Sequence, residues 1–180
     1  MKKTVLTFGI ISGLIASSTM VLTAPFQEQI GFDKGMVIGY ASMLAAFLLV
    51  YFGIRSYRDN VAGGSIGFGR AFSLGMLIVL VSAIMYTATW EVIYFGFKSD
   101  FMIKYQEHQM ATARAKGATQ AELEIKAAEN KRNAEMYNNP VINAAITILE
   151  PLPPGLIVAL ISAAALSRRR KNGGQVTVPA

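Results

Sequence analysis

The chain has 180 residues, 53% of them hydrophobic, a mean hydropathy of +0.40 and a net charge of +6. That apolar content excludes an ordinary soluble domain. The absence of cysteine excludes a disulfide framework, a thiolate metal site and a lipoprotein anchor, and the single histidine, His108, excludes a multi-histidine site. The basic residues flank apolar runs, which is how membrane topology is written, so the positive charge is not read as a nucleic-acid surface.

Lys2 and Lys3 precede an uncharged run over about 4–23, enough rise to cross a hydrocarbon core of roughly 30 Å. The run resembles a signal peptide. However, Leu22 stands where a small residue is wanted and Pro25 follows Ala24 at once, so it is read as an uncleaved span. A second span is predicted over about 36–54, closed by Arg55 and Arg58, and a third over about 71–94, opened by Arg70. The intervening "DNVAGGSIGFG" lacks both the Lys-Ser/Thr of a phosphate loop and the third glycine of a dinucleotide fingerprint, and reads as a flexible connection. A fourth span falls over about 151–167, before Arg168, Arg169, Arg170 and Lys171, and a disordered tail over 172–180. Small residues recur every four positions at Gly9, Gly13 and Ser17, at Gly35 and Gly39, and at Ala159 and Ala163. This spacing permits close helix approach in lipid, first of all within the bundle and alternatively in a homo-oligomer.

Between spans three and four lies a polar, alanine-rich stretch over about 99–137. Gly117 divides it, and Thr119 with Glu122 is a capping-box signature, so an antiparallel helical hairpin is expected. One stripe holds Phe101, Tyr105, His108, Thr112 and Ala115, the other Leu123, Ala127, Asn130, Ala134 and Tyr137. Folding the two against each other pairs His108 with Asn130 as a polar layer that fixes register. His108 is read there as a structural hydrogen-bonder.

The fold class is therefore all-α: a four-helix transmembrane bundle carrying an extracytoplasmic hairpin. With the N-terminus inside, the basic residues of the short connections and of both termini fall on the inner side. Counting at 1.5 Å per residue from Arg168 and Arg70 puts Glu150 about 27 Å and Glu91 about 31 Å across. Two acids at one depth are candidate functional residues, or each reaches interfacial water near Tyr86, Trp90 and Tyr94. Glu150 and Pro151 stand at the start of span four, where missing N–H groups cost little and a carboxylate is favoured as a cap. Residues 140–149 then form a short interfacial helix.

Four spans, "SIGFGRAFSLG" at the third, a charged helical pair, "MYNNP", "ITILEPLPPGLIVALISAAAL" and a basic end resemble, over about residues 1–171, domain-of-unknown-function family 4199. Pro140, Glu150, Pro153 and Gly155 carry the match most specifically, and the doubled proline at 153–154 departs from it. The resemblance implies a small bacterial membrane protein and no established activity. No catalytic residue, metal site or cofactor is expected. The leading expectation is a structural or accessory protein of the bacterial inner membrane, both termini cytoplasmic, whose outer hairpin contacts a protein partner. The alternatives are a small transporter or lipid- or ligand-binding bundle and, behind it, a lipid-modifying membrane enzyme.

Overall fold

The computed structural model describes residues 1–97 and 100–167. The Arg168–Lys171 cluster, the tail over 172–180 and the expected hairpin start at residue 99 lie outside the described residues. The elements are α1 (Lys2–Thr23), a 3-10 turn (Ala24–Phe26), α2 (Gln27–Ile30), α3 (Phe32–Asn60), α4 (Phe68–Phe97), α5 (Phe101–Ala115), α6 (Gln120–Tyr137), α7 (Pro140–Leu149) and α8 (Leu152–Leu166).

Four helical stretches are long and apolar enough to cross a membrane: Lys2–Ile30, Phe32–Asn60, Phe68–Phe97 and Pro140–Leu166. They outrun the uncharged windows of the sequence because a helix does not stop at its first charge. Long side chains near its ends carry their heads outward. Leu14, Leu48, Ile84 and Ile161 are exposed around the bundle. Contiguous apolar surface of that kind is at rest only against lipid.

α3 and α4 are the central pair, with α1 and α8 packed alongside. Phe47, Val50 and Ile54 of α3 meet Leu74, Ile78 and Val79 of α4, and Ala159 and Ala163 of α8 close the same core. The small-residue row of α1 is used inside this bundle. A Cβ added at Gly9 would lie 2.7 Å from the Cβ of Val81, and one at Gly13 would lie 2.8 Å from the Met85 sulfur. The close approach admits two interhelical hydrogen bonds: the Ser12 hydroxyl donates to the Ala46 carbonyl at 3.0 Å, and Thr89 donates to the Ser17 hydroxyl at 3.1 Å. Gly39 is different, because a Cβ there meets nothing within 4 Å.

The hairpin turns at Gly117, whose φ of 81° is open to glycine at little cost. α6 starts with the capping box its sequence predicts: the Thr119 amide donates to Glu122 Oε2 at 2.7 Å, and the Glu122 amide donates to Thr119 Oγ1 at 3.4 Å. Residues of both stripes line one cavity, and no hydrogen bond joins His108 to Asn130. Phe101, Tyr105 and His108 of α5 turn to Phe32 at the head of α3, with ring centroids 5.7, 5.4 and 5.3 Å away. α6 is met instead by Gln106, whose amide donates to the Asn130 carbonyl at 2.8 Å. The aromatic stripe gains more from the large ring of Phe32 than from the small and polar residues of α6.

The start of span four also differs from expectation. Glu150 does not cap α8, which has no side-chain cap. No acid is needed there. Pro151, Pro153 and Pro154 have no N–H, and the Gly155 amide already reaches the Pro151 carbonyl at 3.0 Å, so the first turn leaves only the Leu152 amide free. α7 is the short helix expected before the span, packed on α4 and separated from α8 by Glu150 and Pro151. It is capped by Asn139, which accepts from the Val141 and Ile142 amides at 3.0 and 3.3 Å, and it runs almost directly into α8.

Two predictions follow from this packing. Gly9→Ala forces α1 and α4 apart and lowers thermal stability in micelles by about 1–3 kcal/mol, while Gly39→Ala leaves it unchanged; equal effects at the two sites would show that α1 does not pack on α4 as described. The second concerns the cap. The backbone and hydroxyl hydrogen bonds of Thr119 hold the Glu122 carboxyl below its ordinary value of 4.5. Its contribution is therefore complete above pH 4.5 and lost as pH falls through the lower folded value. An NMR titration of the Glu122 amide should show a midpoint below 4.5 that moves partly up in Thr119→Val, and an unmoved midpoint would rule out the Thr119 hydroxyl as a cause.

Candidate functional site

The outer ends of α1, α3 and α4 and the hairpin together border a cavity of about 800 Å³ that is open on one side. α5 and α6 form the roof. Gly31, with φ of 78°, lets the chain turn from α2 into α3, so that Phe32 meets the underside of α5. Exposed polar contacts fasten that edge: Lys104 pairs with Glu28 and with Asp100, and His108 meets Asp33 at 3.3 Å. A smaller cavity of about 210 Å³ beside them is lined by the same carboxylates, Glu28 and Asp100, and by Lys104.

The far side of the roof is held differently. Asn143 of α7 is wholly buried. Its carbonyl oxygen accepts from Trp90 Nε1 at 3.0 Å and from the Thr147 hydroxyl at 3.2 Å, and its amide donates to the Tyr137 carbonyl at 3.0 Å. This ties the end of α6 to α4 and sets Trp90 and Tyr137 on the cavity wall.

The wall is aromatic and apolar, from Tyr40, Met43, Tyr86 and Trp90 below to Phe101 and Tyr105 above. Polar and charged side chains line it as well, among them Asp33, His108, Lys126, Glu129, Asn130 and Glu150. Glu150 reaches it from the α7–α8 junction and accepts from the Tyr86 hydroxyl at 3.4 Å. Tyr40 and Tyr137 are close enough to act electrostatically on that pair. Asn130 is 8% exposed, and its Nδ2 has no hydrogen-bond partner.

The four residues singled out in the sequence are therefore distributed as follows. His108 and Asn130 line the same cavity, but no hydrogen bond joins them; His108 is on Asp33, and Asn130 is met through its carbonyl by Gln106. Glu150 is on the wall, whereas Glu91 is not. Glu91 Oε1 is buried without a hydrogen-bond partner, and no shared partner links it to Glu150. Tyr86 precedes Glu91 by five residues, about 7.5 Å along α4, so the carboxylate of Glu150 meets α4 at a deeper turn than Glu91 occupies. Among the described residues no group of three or more metal-ligating side chains converges.

Asn143, Phe32 and Gln106 escaped the sequence reading. For Asn143 a signal existed: Asn143 and Thr147, four apart, are the only polar side chains within the apolar run of α7. For Phe32 and Gln106 there was none, because their partners lie in other elements.

No curated protein and no solved structure matches the chain. The model of a family described as "Protein of unknown function (DUF4199)" matches residues 7–168, from α1 to the end of α8, cavity and hairpin included. With nine-tenths of its length so matched, the chain belongs to the DUF4199 family.

Proposed function

We propose that this membrane protein binds a small amphiphile in the cavity beneath the hairpin, acting as a binding or carrier bundle and not as an enzyme. The observation that carries this reading is the cavity itself. Its volume of about 800 Å³ lies within the ordinary range of ligand sites, and its wall combines aromatic rings with polar and charged side chains. A bundle needing only to be solid would fill that space with side chains. The accessory reading, in which the hairpin contacts a protein partner, draws on Ile103 and Ile125, 60% and 62% exposed on the hairpin. It ranks second because α5 spends its aromatic face on Phe32 and the cavity.

We place the protein in a bacterial cytoplasmic membrane, with both termini and the α3–α4 connection inside and the hairpin outside. Support comes from Lys2, Lys3, Arg55, Arg58 and Arg70, which gather at the end of the bundle away from the hairpin. Reporter fusions at Asn60 and Gly117 should give opposite signals; equal signals would refute the arrangement.

Trp90 is the chain's only tryptophan and stands on the cavity wall, so it reports occupancy. In non-ionic micelles a bromoalkyl amphiphile should quench Trp90 emission saturably. Gly39→Leu, which grows a side chain into the cavity where a Cβ meets nothing within 4 Å, should abolish the saturable part. Non-saturating quenching, the same in both proteins, would show that the cavity takes no ligand.

A further inference from the structure

The polar groups of the cavity specify more than an amphiphile. Glu150 brings a carboxylate into a wall of aromatic rings, and its one hydrogen bond, from Tyr86, is long at 3.4 Å. No lysine, arginine or histidine pairs with it among the described residues. Glu150 is exposed on the open side of the cavity, so its carboxylate is accessible, and a carboxylate beside aromatic rings without a basic partner attracts a cation. The species that completes the charge is constrained by its neighbours. A divalent metal ion asks for several oxygen ligands, and although Asp33 and Glu129 also line the cavity, no group of three or more metal-ligating side chains converges among the described residues. Tyr40, Tyr86, Trp90 and Tyr137 offer ring faces instead, and ring faces favour a weakly hydrated organic cation. On the roof, Asn130 lines the same cavity at 8% exposure, and its Nδ2 is buried without a hydrogen-bond partner. That donor asks for an acceptor oxygen.

We propose that the cavity is a site for an organic ammonium head, seated against Glu150 among Tyr40, Tyr86, Trp90 and Tyr137, with an acceptor oxygen of the same ligand on Asn130. The proposal rests on the amphiphile-binding reading above and adds the head group to it. The ammonium satisfies the carboxylate, and the rings shield it from water. The apolar tail lies along Met43 and Ala16 towards the bilayer. Two sources carry this chemistry: a membrane lipid with a phosphoethanolamine head, and a soluble alkylamine.

The test uses the full chain in dodecyl maltoside micelles and Trp90 emission. Three probes share one bromoalkyl tail and differ in head: trimethylammonium, hydroxyl and sulfate. The ammonium probe should saturate at about tenfold lower concentration than the other two, the gain expected of one desolvated cation among aromatic rings. Glu150→Gln should remove that preference while the hydroxyl probe still saturates, and Glu150→Asp should keep most of it. Asn130→Leu should weaken a phosphocholine-headed probe and leave the trimethylammonium probe unchanged. Equal saturation by all three heads on the wild-type protein would overturn the ammonium assignment and leave the amphiphile reading standing. No saturable quenching by any probe would overturn both. The comparison of heads on wild type decides the matter even if a variant fails to fold. Competition then identifies the source within the ammonium class: displacement by tetramethylammonium alone points to a soluble amine, and displacement only by phosphatidylethanolamine in the micelle points to a lipid.

Discussion

Asn143 is fully buried, and its side chain is spent on three partners: Trp90 of α4, the last carbonyl of α6 and Thr147 of its own helix. Each bond is worth on the order of 1 kcal/mol net, but each partner left unpaired in this environment would cost about 1–3 kcal/mol. The geometry of the outer half depends on this one amide. It sets the angle at which the chain returns from the hairpin into the membrane, and it holds Trp90 in one orientation. It also keeps Tyr137 over the bundle. The Tyr94 hydroxyl, which donates to Asn138 at 3.5 Å, and the Tyr94–Tyr137 ring contact support the same side of the roof.

The three prolines and the acid in the last span have one explanation. A helix that starts close to the hydrocarbon must dispose of its first amides, and caps are the usual means. Here the amides are deleted: Pro151, Pro153 and Pro154 carry none, and the fixed φ of proline suits the first turn. The acid beside them is thereby released from capping. Its carboxylate turns to Tyr86 and the cavity. Proline at the start of α8 and glycine at position 155, where a side chain would collide with Val79, serve one end: α8 begins abruptly and close to α4.

Some of this was legible in the residues. The four spans stand out because lipid demands about twenty uncharged positions in a row, a constraint that is local in sequence. The Thr119–Glu122 cap and the turn at Gly117 are likewise local. The rows at Gly9, Gly13, Ala159 and Ala163 showed that helices would approach closely, though not which ones. What stayed hidden depended on distant partners. The stripe of Phe101, Tyr105 and His108 reads the same whether it meets α6 or Phe32, since periodicity names a face and not its neighbour. A lone Asn143 in an apolar helix shows that something must satisfy it, without showing that the partner is Trp90. Depth arithmetic set Glu91 and Glu150 at one level because it follows backbones, whereas the direction of each side chain decided that only Glu150 reaches the cavity.

The roof is fastened unequally, and this follows from where water can reach. On the α6–α7 side the fastening is Asn143, out of water, where each bond keeps its strength. On the α5 side it is Lys104 with Glu28 and Asp100, and His108 with Asp33, all partly or largely exposed. Exposed pairs of this kind contribute little and are screened by salt. The rings of Phe101 and Tyr105 against Phe32 add more, but they meet an α3 head that follows Gly31, a residue with no side chain to brace the turn. A displacement of the hairpin therefore costs least along α5. The cavity beneath it yields first towards α2 and the head of α3, while the aromatic wall around Glu150 stays fixed by the buried amide behind it.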